Sequence, residues 1–362
     1  MTDRRDDLLM TPGPTAIPES VRSAMAKPPQ NPDVDPAFTA FYRDLQEKLQ
    51  SVHRTDHDIH VLSGEGMLGL EASLASILEP GDQVLCLANG RYGRGFADLV
   101  DLHGGEPVLV EGPSDQGLPV DAIADVLENE SFTAATMVHC ETPTGVLNDL
   151  DEILDHLQTA GILTVVDAVS SIGGAPVPVD RIDLCLGASQ KCFSAPPGLA
   201  TLAVSDRAWD RIAAVEQRSF YTSLEPWRTL DLSGDEAVLL PYTPPVSNLY
   251  ALDAALDRLL DEGMAAVFDR HERAATRCRS MGRALGLELH ASNDAIASPT
   301  VTAFRIEGSA TTLQQAVADG GVVLATGLGD LEDDILRVGH MGHNADIEKV
   351  ERTMDAIAEA LN

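Results

Sequence analysis

Lysine is scarce in this chain of 362 residues: only four of its 25 basic residues are lysines. The acidic residues number 57, more than twice the basic ones. The formal net charge at pH 7 is −32, and a surface of this sign repels the phosphates of nucleic acids and of anionic lipids. We therefore expect neither nucleic acid nor a membrane surface as a partner. An acidic, lysine-poor surface is typical of proteins that work in concentrated salt, where screening removes the repulsion between carboxylates. The composition predicts a halophilic protein, with an acidic mesophile as the alternative.

Cysteines are few and long apolar runs are absent. The five cysteines are odd in number and form no C-x-x-C pair, which argues against a disulfide framework or a zinc site and indicates a reducing compartment. No stretch approaches the length of a membrane span, and the first residues show no secretory pattern. His53 and His57 are four residues apart but lack the glutamate of a zinc-protease helix. We expect a cytoplasmic protein without a metal site.

Short apolar runs alternate with helical patterns through the first 200 residues. Strands that alternate with helices of this length predict a mostly parallel sheet covered on both faces, the α/β class. Residues 11–36 are rich in proline and are expected to form an extended arm. The strand-like runs are DIHVLS, QVLCLA, AATMVHC, ILTVVDAV, IDLCLGAS and LATLAV.

The pattern changes after about residue 245, where a long amphipathic helical segment begins, with Gly263 as a possible break. Short strand-like runs and a last helix follow. These features predict a smaller C-terminal α/β domain. We expect an N-terminal arm over residues 1–15, a large domain over 16–260 and a small domain over 261–362, with a soft boundary because the long helix joins both domains. The last helix should bury one face, formed by Ile347, Val350, Met354, Ile357 and Leu361.

Lys191 is the most informative residue. It follows an apolar strand and precedes Pro196, Pro197 and Gly198 in the segment LCLGASQKCFSAPPGLA. A lysine in a partly desolvated site can lose its proton and attack a carbonyl carbon. The alternative is an ordinary lysine at a strand end.

Asp167 ends the run ILTVVD, and Ser63, Gly64 and Gly66 form a tight turn before a helix. Ligands collect at the carboxyl ends of parallel strands, where a carboxylate can hold a proton on the ring nitrogen of pyridoxal phosphate. A glycine turn before a helix lets backbone N–H groups approach a phosphate. Alternatively, Asp167 caps a helix and the turn is structural.

Together these elements resemble the class V, fold-type I aminotransferases that use pyridoxal phosphate, and among them the alanine–glyoxylate/serine–pyruvate group. The resemblance runs from residue 11 to residue 344, and its most specific block is 167–198. It rests on the segments TPGPT, SGEG, NGRYG, HCETPTG, VDAVSSIGG, SQKCFSAPPG and LRVGHMGHN.

The resemblance implies roles for single residues. Lys191 would bond to the cofactor's aldehyde and then carry the α-proton, and Asp167 would pair with the pyridine nitrogen. Thr142 would lie beside the ring hydroxyl. Arg337 would bind the substrate carboxylate, a task suited to its planar two-donor group.

The same resemblance assigns the phosphate to Ser63, Gly64 and Glu65 through backbone N–H groups, and to the side chain of Gln190. Thr243 would reach the phosphate of the neighbouring subunit, which implies a homodimer with shared active sites.

Three positions depart from the family pattern. The ring-stacking aromatic residue is Tyr92 where tryptophan is usual. Glu65 places a carboxylate near the phosphate, so its side chain must point away or the phosphate pocket is altered. Leu240 replaces an expected partner-subunit tyrosine, for which Tyr242 is a substitute.

The resemblance implies a ping-pong transfer of an amino group from a small amino acid, alanine or serine, to a 2-oxo acid such as glyoxylate or pyruvate. Alternatives are transamination of ureidoglycine or of 2-aminoethylphosphonate, and a non-enzymatic protein that binds pyridoxal phosphate. A cysteine desulfurase is disfavoured because Gln190 precedes the lysine and no cysteine follows Cys278.

Overall fold

The computed structural model describes residues 7–362, so that residues 1–6 of the expected arm lie outside the described part. The strands of this part are β1 (Leu8–Leu9), β2 (Asp58–Leu62), β3 (Gln83–Ala88), β4 (Glu106–Glu111), β5 (Ala134–Val138), β6 (Cys140–Glu141), β7 (Val146–Leu147), β8 (Leu163–Asp167), β9 (Leu184–Ala188), β10 (Ala200–Val204), β11 (Glu288–Leu289), β12 (Thr302–Arg305), β13 (Val322–Val323), β14 (Ala325–Thr326) and β15 (Ile335–Val338).

The helices of the same residues are α1 (Glu19–Ala24), α2 (Pro36–His53), α3 (Gly66–Ile77), α4 (Arg91–Leu102), α5 (Val120–Asn129), α6 (Asp151–Thr159), α7 (Asp206–Ala214), α8 (Glu225–Arg228), α9 (Val246–Glu262), α10 (Met264–Ala284), α11 (Ala310–Asp319) and α12 (Ile347–Ala360).

A seven-stranded sheet in the order β2-β10-β9-β8-β5-β3-β4 forms the centre of the large domain. Strand β10 is antiparallel to both of its neighbours, and the other pairs are parallel. The predicted α/β class with a mostly parallel sheet is confirmed. The six predicted runs contain β2, β3, β5, β8, β9 and β10.

The sequence patterns do not predict β4, which lies at one edge of this sheet. Most of its residues are exposed, and it includes Pro107, which has no N–H to give to a ladder. An edge strand needs no continuous apolar run, so the usual signal of a buried strand is missing.

The expectation of an extended arm over residues 11–36 is wrong for its middle part, because α1 lies within it. Pro18 occupies the N-cap position of α1, and nine residues without a proline follow it. Val21 and Ala24 are buried against the large core, and α1 packs on α9. Burial of one apolar face therefore outweighs the extended tendency of the proline-rich flanks.

The small domain contains the antiparallel sheet β11-β12-β15-β14, against which α10 and α11 pack, with α12 over these helices. Its core includes Phe304, Leu336 and Met354. Gly263 separates α9 from α10 with a φ of 84°, a conformation that favours glycine. The long helical pattern is thus two helices, and the proposed domain boundaries near residue 260 stay a prediction.

Helix α12 buries most of the face that its sequence predicts. Val350, Met354 and Ile357 are buried and Ile347 is half-buried, whereas Leu361 is 47% exposed. Leu361 follows the last helical residue, so it lies past the end of the packed surface.

The N-terminal segment ties the two domains together. Strand β1 pairs in parallel with β13 of the small domain, and Met10 is buried in the small-domain core. A few residues later the amide of Thr15 donates to the carbonyl oxygen of Gln190 in the large domain, at 3.0 Å. Among residues 7–362, no helix combines the length and the apolar character needed to cross a bilayer.

Candidate active site

Asp167 is the last residue of β8, in the middle of the large sheet. Its carboxylate is buried, and Oδ1 accepts a hydrogen bond of 2.9 Å from the amide of Val169. Burial raises the pKa of Asp167 to about 6, although the Val169 amide and the charge of Lys191 both act in the opposite direction. A cation placed beside this carboxylate would return its pKa toward the ordinary range. The site is therefore suited to a protonated ring nitrogen.

Lys191 lies in the turn that follows β9, the neighbouring parallel strand. Its Nζ donates a hydrogen bond of 2.8 Å to the carbonyl oxygen of Pro12. Burial lowers the pKa of Lys191, and the nearby Asp167 opposes the shift. A lowered pKa increases the fraction of free amine, which is the form that attacks a carbonyl carbon.

Asp167 and Lys191 line the same cavity. Four further predicted site residues line this cavity: Glu65, Tyr92, Thr142 and Gln190. Tyr92 lies in the first turn of α4. The hydroxyl of Thr142 contacts the hydroxyl of Ser170, and the Oε1 atom of the buried Gln190 has no hydrogen-bond partner among the described residues. A buried acceptor without a partner at a cavity wall indicates that a ligand donor completes it.

Arg337, in the middle of β15 of the small domain, contacts Thr142 in the wall of the cavity. It is buried between Leu336 and Val338, which are buried as the sequence indicates. Its Nε donates to the carbonyl oxygen of Thr326 at 2.6 Å, and its Nη1 donates to that of Thr142 at 3.3 Å. No carboxylate of residues 7–362 forms an ion pair with it, and burial lowers its pKa to about 10. Carbonyl oxygens do not neutralise the positive charge of a buried guanidinium, so binding of an anion beside Arg337 would be favourable.

Only part of the predicted phosphate-binding turn, residues 63–65, lines the cavity. Glu65 lines the cavity, whereas Ser63 and Gly64 lie just outside its lining. The Ser63 hydroxyl is buried without a partner in the described part of the chain. The side chain of Glu65 caps α3, since its Oε2 accepts a hydrogen bond of 3.0 Å from the amide of Met67. The Glu65 carboxylate therefore does not point away from the helix end that a phosphate would use.

Thr243 is exposed and does not line the cavity of its own chain. Tyr242 stacks on Tyr221 with ring centroids 4.5 Å apart, and Leu240 is buried. The predicted contact of Thr243 with the neighbouring subunit stays a prediction, because the structure contains one chain.

Glu141 is a functional candidate that the sequence reasoning missed. It is fully buried, and its two carboxylate oxygens accept hydrogen bonds from the amides of Gly93 at 2.7 Å and Tyr92 at 3.3 Å. Burial raises its pKa to about 7. The carboxylate thus caps α4, the helix that carries Tyr92. The available signal was an acidic residue in HCETPTG, directly after a buried strand.

Gly90 makes room for this contact. A Cβ atom at position 90 would lie 2.5 Å from Cδ of Glu141, closer than real contacts allow. The glycine of NGRYG and the glutamate of HCETPTG are therefore complementary parts of one cap.

A buried lysine and a strand-end aspartate in one cavity, in an α/β fold with a small C-terminal domain, are the arrangement of fold-type I pyridoxal phosphate enzymes. The family model described as aminotransferase class-V matches residues 13–331. The chain belongs to this family and is a class V aminotransferase.

Relatives cover nearly the whole chain. The pyridoxamine–pyruvate transaminase of Mesorhizobium japonicum is 37% identical over 338 residues, which is 91% of this chain and 85% of that protein. The (S)-ureidoglycine–glyoxylate transaminase of Bacillus subtilis is 30% identical over 94% of this chain and 87% of its own length. The crystal structure of an alanine–glyoxylate aminotransferase from Nostoc sp. superposes with a TM-score of 0.94 at 27% identity, covering 100% of this chain and 97% of the other.

Membership of this family implies pyridoxal phosphate as the cofactor. The residues present fit its ring: Lys191 offers an amine, Asp167 offers a buried carboxylate with a raised pKa, and the aromatic residue Tyr92 lines the same cavity. The end near α3 fits the phosphate less well, because the carboxylate of Glu65 already caps that helix.

Proposed function

We propose that this aminotransferase moves the amino group of a small amino acid, alanine or serine, to a 2-oxo acid such as glyoxylate or pyruvate. The observation that carries the proposal is the guanidinium of Arg337, which has no ion-pair partner among residues 7–362 and lies near the cavity that Lys191 and Asp167 share. One guanidinium without an ion-pair partner matches one substrate carboxylate. The relatives named for pyruvate and glyoxylate use acceptors of this class.

The roles of the residues follow from their positions. Pyridoxal phosphate supplies, when bound, an aldehyde that takes up the amino group and a ring that withdraws electrons. Lys191 holds the aldehyde carbon at rest and moves a proton at its Nζ during turnover, for which its lowered pKa suits it. Asp167 holds a proton on the ring nitrogen, and Arg337 orients the substrate through its carboxylate.

The remaining contacts are proposed for binding rather than for proton transfer. Tyr92 stacks on the ring face and Thr142 lies beside the ring hydroxyl. Gln190, whose Oε1 atom has no partner among the described residues, lines the same cavity and is proposed to contact the phosphate. The backbone at Ser63 and Gly64 and the partner subunit's Thr243 are the other proposed contacts of the cofactor.

Single-turnover experiments test this function. The protein with bound cofactor is mixed with L-alanine or L-serine in the absence of an acceptor, and the 2-oxo acid formed is quantified. We expect one equivalent of pyruvate from alanine, or of hydroxypyruvate from serine, per active site, and release of the second product after glyoxylate is added. No oxo acid from either donor, with the cofactor bonded to Lys191, would overturn the donor assignment while leaving the aminotransferase class intact.

We also propose a halophilic, cytoplasmic homodimer with shared active sites. The charge of −32 and the four lysines support the salt requirement. The exposed Thr243 lies in the same loop region as the exposed Phe220, Tyr221 and Leu239, an apolar surface that a second copy of the chain would cover. Sedimentation in molar and in dilute salt measures both properties: a monomer in molar salt with full activity would contradict the shared site.

A further inference from the structure

The end of the cavity near α3 is already occupied by charge and hydrogen bonds of the protein itself. Oε2 of Glu65 accepts from the amide of Met67 at 3.0 Å, and the backbone oxygen of Glu65 accepts from the amide of Leu68 at 3.0 Å. Two N–H groups of the first turn are therefore not free for a ligand. A phosphate at this helix end would have to displace the Glu65 carboxylate or lie beside it.

The cavity offers a phosphate little compensating positive charge. Among its lining residues within 7–362, Lys191 is the only cation, and the proposed function commits that amine to the aldehyde at the other side of the ring. The other charged groups of the lining are the carboxylates of Glu65 and Asp167, and the buried Gln190 of the lining is neutral, with an Oε1 atom that has no partner among the described residues. Glu65 is exposed, but like charges at a protein surface still repel more strongly than in bulk water, so a phosphate dianion beside this carboxylate is disfavoured.

We propose that Glu65 selects against the phosphate ester and for the unphosphorylated ring, so that pyridoxal and pyridoxamine bind here in preference to their 5′-phosphates. A hydroxymethyl group carries no charge and has one O–H to donate. Two acceptors of the cavity lining can receive that hydrogen bond. A carboxylate such as that of Glu65 accepts more bonds than the one from Met67, and Oε1 of Gln190 has no partner among the described residues. The cap on α3 stays in place when such a ring binds.

This inference rests on the proposed function, because it takes the ring to bond at Lys191. It deepens that function: a ring without a phosphate is held more loosely and can leave after accepting or giving an amino group. The vitamin-type ring would then act as a substrate that is exchanged in each cycle. The 2-oxo acid would remain the partner that Arg337 binds.

Binding titrations test the proposal. The protein freed of ligand is titrated with pyridoxal and, separately, with pyridoxal 5′-phosphate, and the visible absorbance of the ring bonded to Lys191 is followed. Reduction with borohydride and mass spectrometry identify the modified lysine. In the wild type we expect a dissociation constant at least about tenfold lower for pyridoxal, the size of effect that one repulsive charge pair produces near a protein surface.

The variants separate charge from shape. Glu65→Gln removes the charge at nearly constant size, and Glu65→Ser removes the carboxylate but keeps a capping hydroxyl. In both variants, the dissociation constant of pyridoxal 5′-phosphate divided by that of pyridoxal should fall by about tenfold or more. Comparing ratios between variants cancels the different intrinsic reactivity of the two aldehydes. The control is Glu71→Gln on the same helix, outside the cavity lining, which should leave the ratio unchanged.

A second measurement does not depend on bonding to the lysine. In Lys191→Ala, the rise in unfolding temperature on adding pyridoxamine should exceed the rise on adding its phosphate at equal concentration. Tighter binding of the phosphate in the wild type, together with a ratio that Glu65→Ser leaves unchanged, would overturn the proposal and leave the proposed function standing. If neither compound bonds to Lys191, the proposed function itself fails.

Discussion

The Nζ atom of Lys191 donates a hydrogen bond of 2.8 Å to the carbonyl oxygen of Pro12, which lies 179 residues earlier in the chain. The backbone of residues 12 and 13 in the N-terminal segment therefore lies directly against the lysine side chain. The contact is close: a Cβ atom at Gly13 would lie 2.5 Å from Cδ and 2.7 Å from Nζ of Lys191. Access to the reactive amine is therefore set by the backbone of a segment that is remote in sequence.

Gly13→Ala should disturb the lysine specifically. Gly13 has a φ of 111°, so any side chain there costs backbone strain, and a methyl group would also push the Lys191 side chain. We expect turnover to fall by about tenfold or more, because reacting groups must be placed within a fraction of an ångström. The rate of bonding of an added aldehyde to Lys191 measures the effect.

Gly81→Ala is the matched control for Gly13→Ala. Its φ is 85°, and a Cβ atom there would meet nothing within 4 Å. Both variants should lose about 1–2 kcal/mol of stability from the strained backbone. Only Gly13→Ala should change the reactivity of Lys191. Equal losses of reactivity in both variants would assign the effect to general destabilisation.

Asp167→Asn should abolish most of the activity without unfolding the protein. Oδ1 of asparagine can still accept from the Val169 amide, as the carboxylate does at 2.9 Å, but asparagine cannot hold a proton on a ring nitrogen through charge. We expect kcat to fall by about 10²–10⁴-fold, the range for a group that controls a proton in the reaction. Steady-state kinetics and the unfolding midpoint should be measured together, with the exposed Asp210→Asn as control. Near-normal kcat in Asp167→Asn would remove this residue from the mechanism.

Arg337→Lys should weaken binding of both carboxylate substrates. Lysine keeps the charge but loses the planar pair of donors, and its compact ammonium cannot replace the bonds to Thr326 and Thr142 while it holds a ligand. We expect kcat/KM to fall by about 10²-fold, mostly through KM, since about 2–3 kcal/mol is typical of a charged hydrogen bond.

Arg305→Lys tests whether a conservative change of an arginine on the neighbouring strand has the same effect. Arg305 lies on β12, which pairs with β15, and its partner is Asp115 at 3.0 Å near the surface. Its substitution should change kcat/KM by less than about twofold, as surface ion pairs contribute little. A similar rise of KM in both variants would contradict the assignment of Arg337 to the substrate carboxylate.

Glu141→Gln should change how stability depends on pH. The pKa of Glu141 is raised from 4.5 to about 7 in the folded state, so the folded protein holds this proton more tightly than the unfolded chain. Its contribution to stability is complete below the unfolded pKa and is lost as pH rises through the folded pKa, a loss of roughly 3 kcal/mol. Glutamine does not ionise, so the variant should lack this decline.

Denaturant unfolding of the ligand-free protein between about pH 5 and about pH 8 measures the difference for Glu141→Gln. The free energy of unfolding of the wild type should fall relative to that of the variant, by roughly 3 kcal/mol, as pH rises through about 7. Glu128→Gln, an exposed change on α5, should follow the wild type throughout. Parallel curves for wild type and Glu141→Gln would show that the buried carboxylate does not titrate in this range.

Local sequence signals were sufficient for much of the site. Lys191 follows β9 and Asp167 ends β8, and adjacent parallel strands bring their carboxyl ends to one edge of the sheet. Their juxtaposition therefore follows from strand order and spacing. Arg337 was predicted from the family resemblance, and its apolar neighbours on β15 are consistent with the burial that the structure shows.

Other features depend on contacts that no local pattern records. Glu141 reads as one more acid in an acidic chain, and only the close approach of its loop to Gly90 reveals it as a buried cap. The direction of the Glu65 side chain is likewise undecided in the sequence, which allowed it to point away from the phosphate end. The start of α3 decides it, because the amide of Met67 in the first turn has no partner within the helix and attracts the carboxylate.

The sequence by itself determined the fold class, because strand periodicity is a local property, and it indicated the family through the resemblance of its motifs, which also supplied the predicted roles of Lys191 and Asp167. Only the tertiary structure decided three features of the site. These are the backbone of Pro12 at Lys191, the Glu141 carboxylate at the start of α4 and the Glu65 carboxylate at the start of α3. Those properties depend on long-range packing, in which the backbone of residues 12 and 13 comes against position 191 and that of residue 90 comes against position 141. Burial then sets the pKa values, and burial exists only in the folded chain.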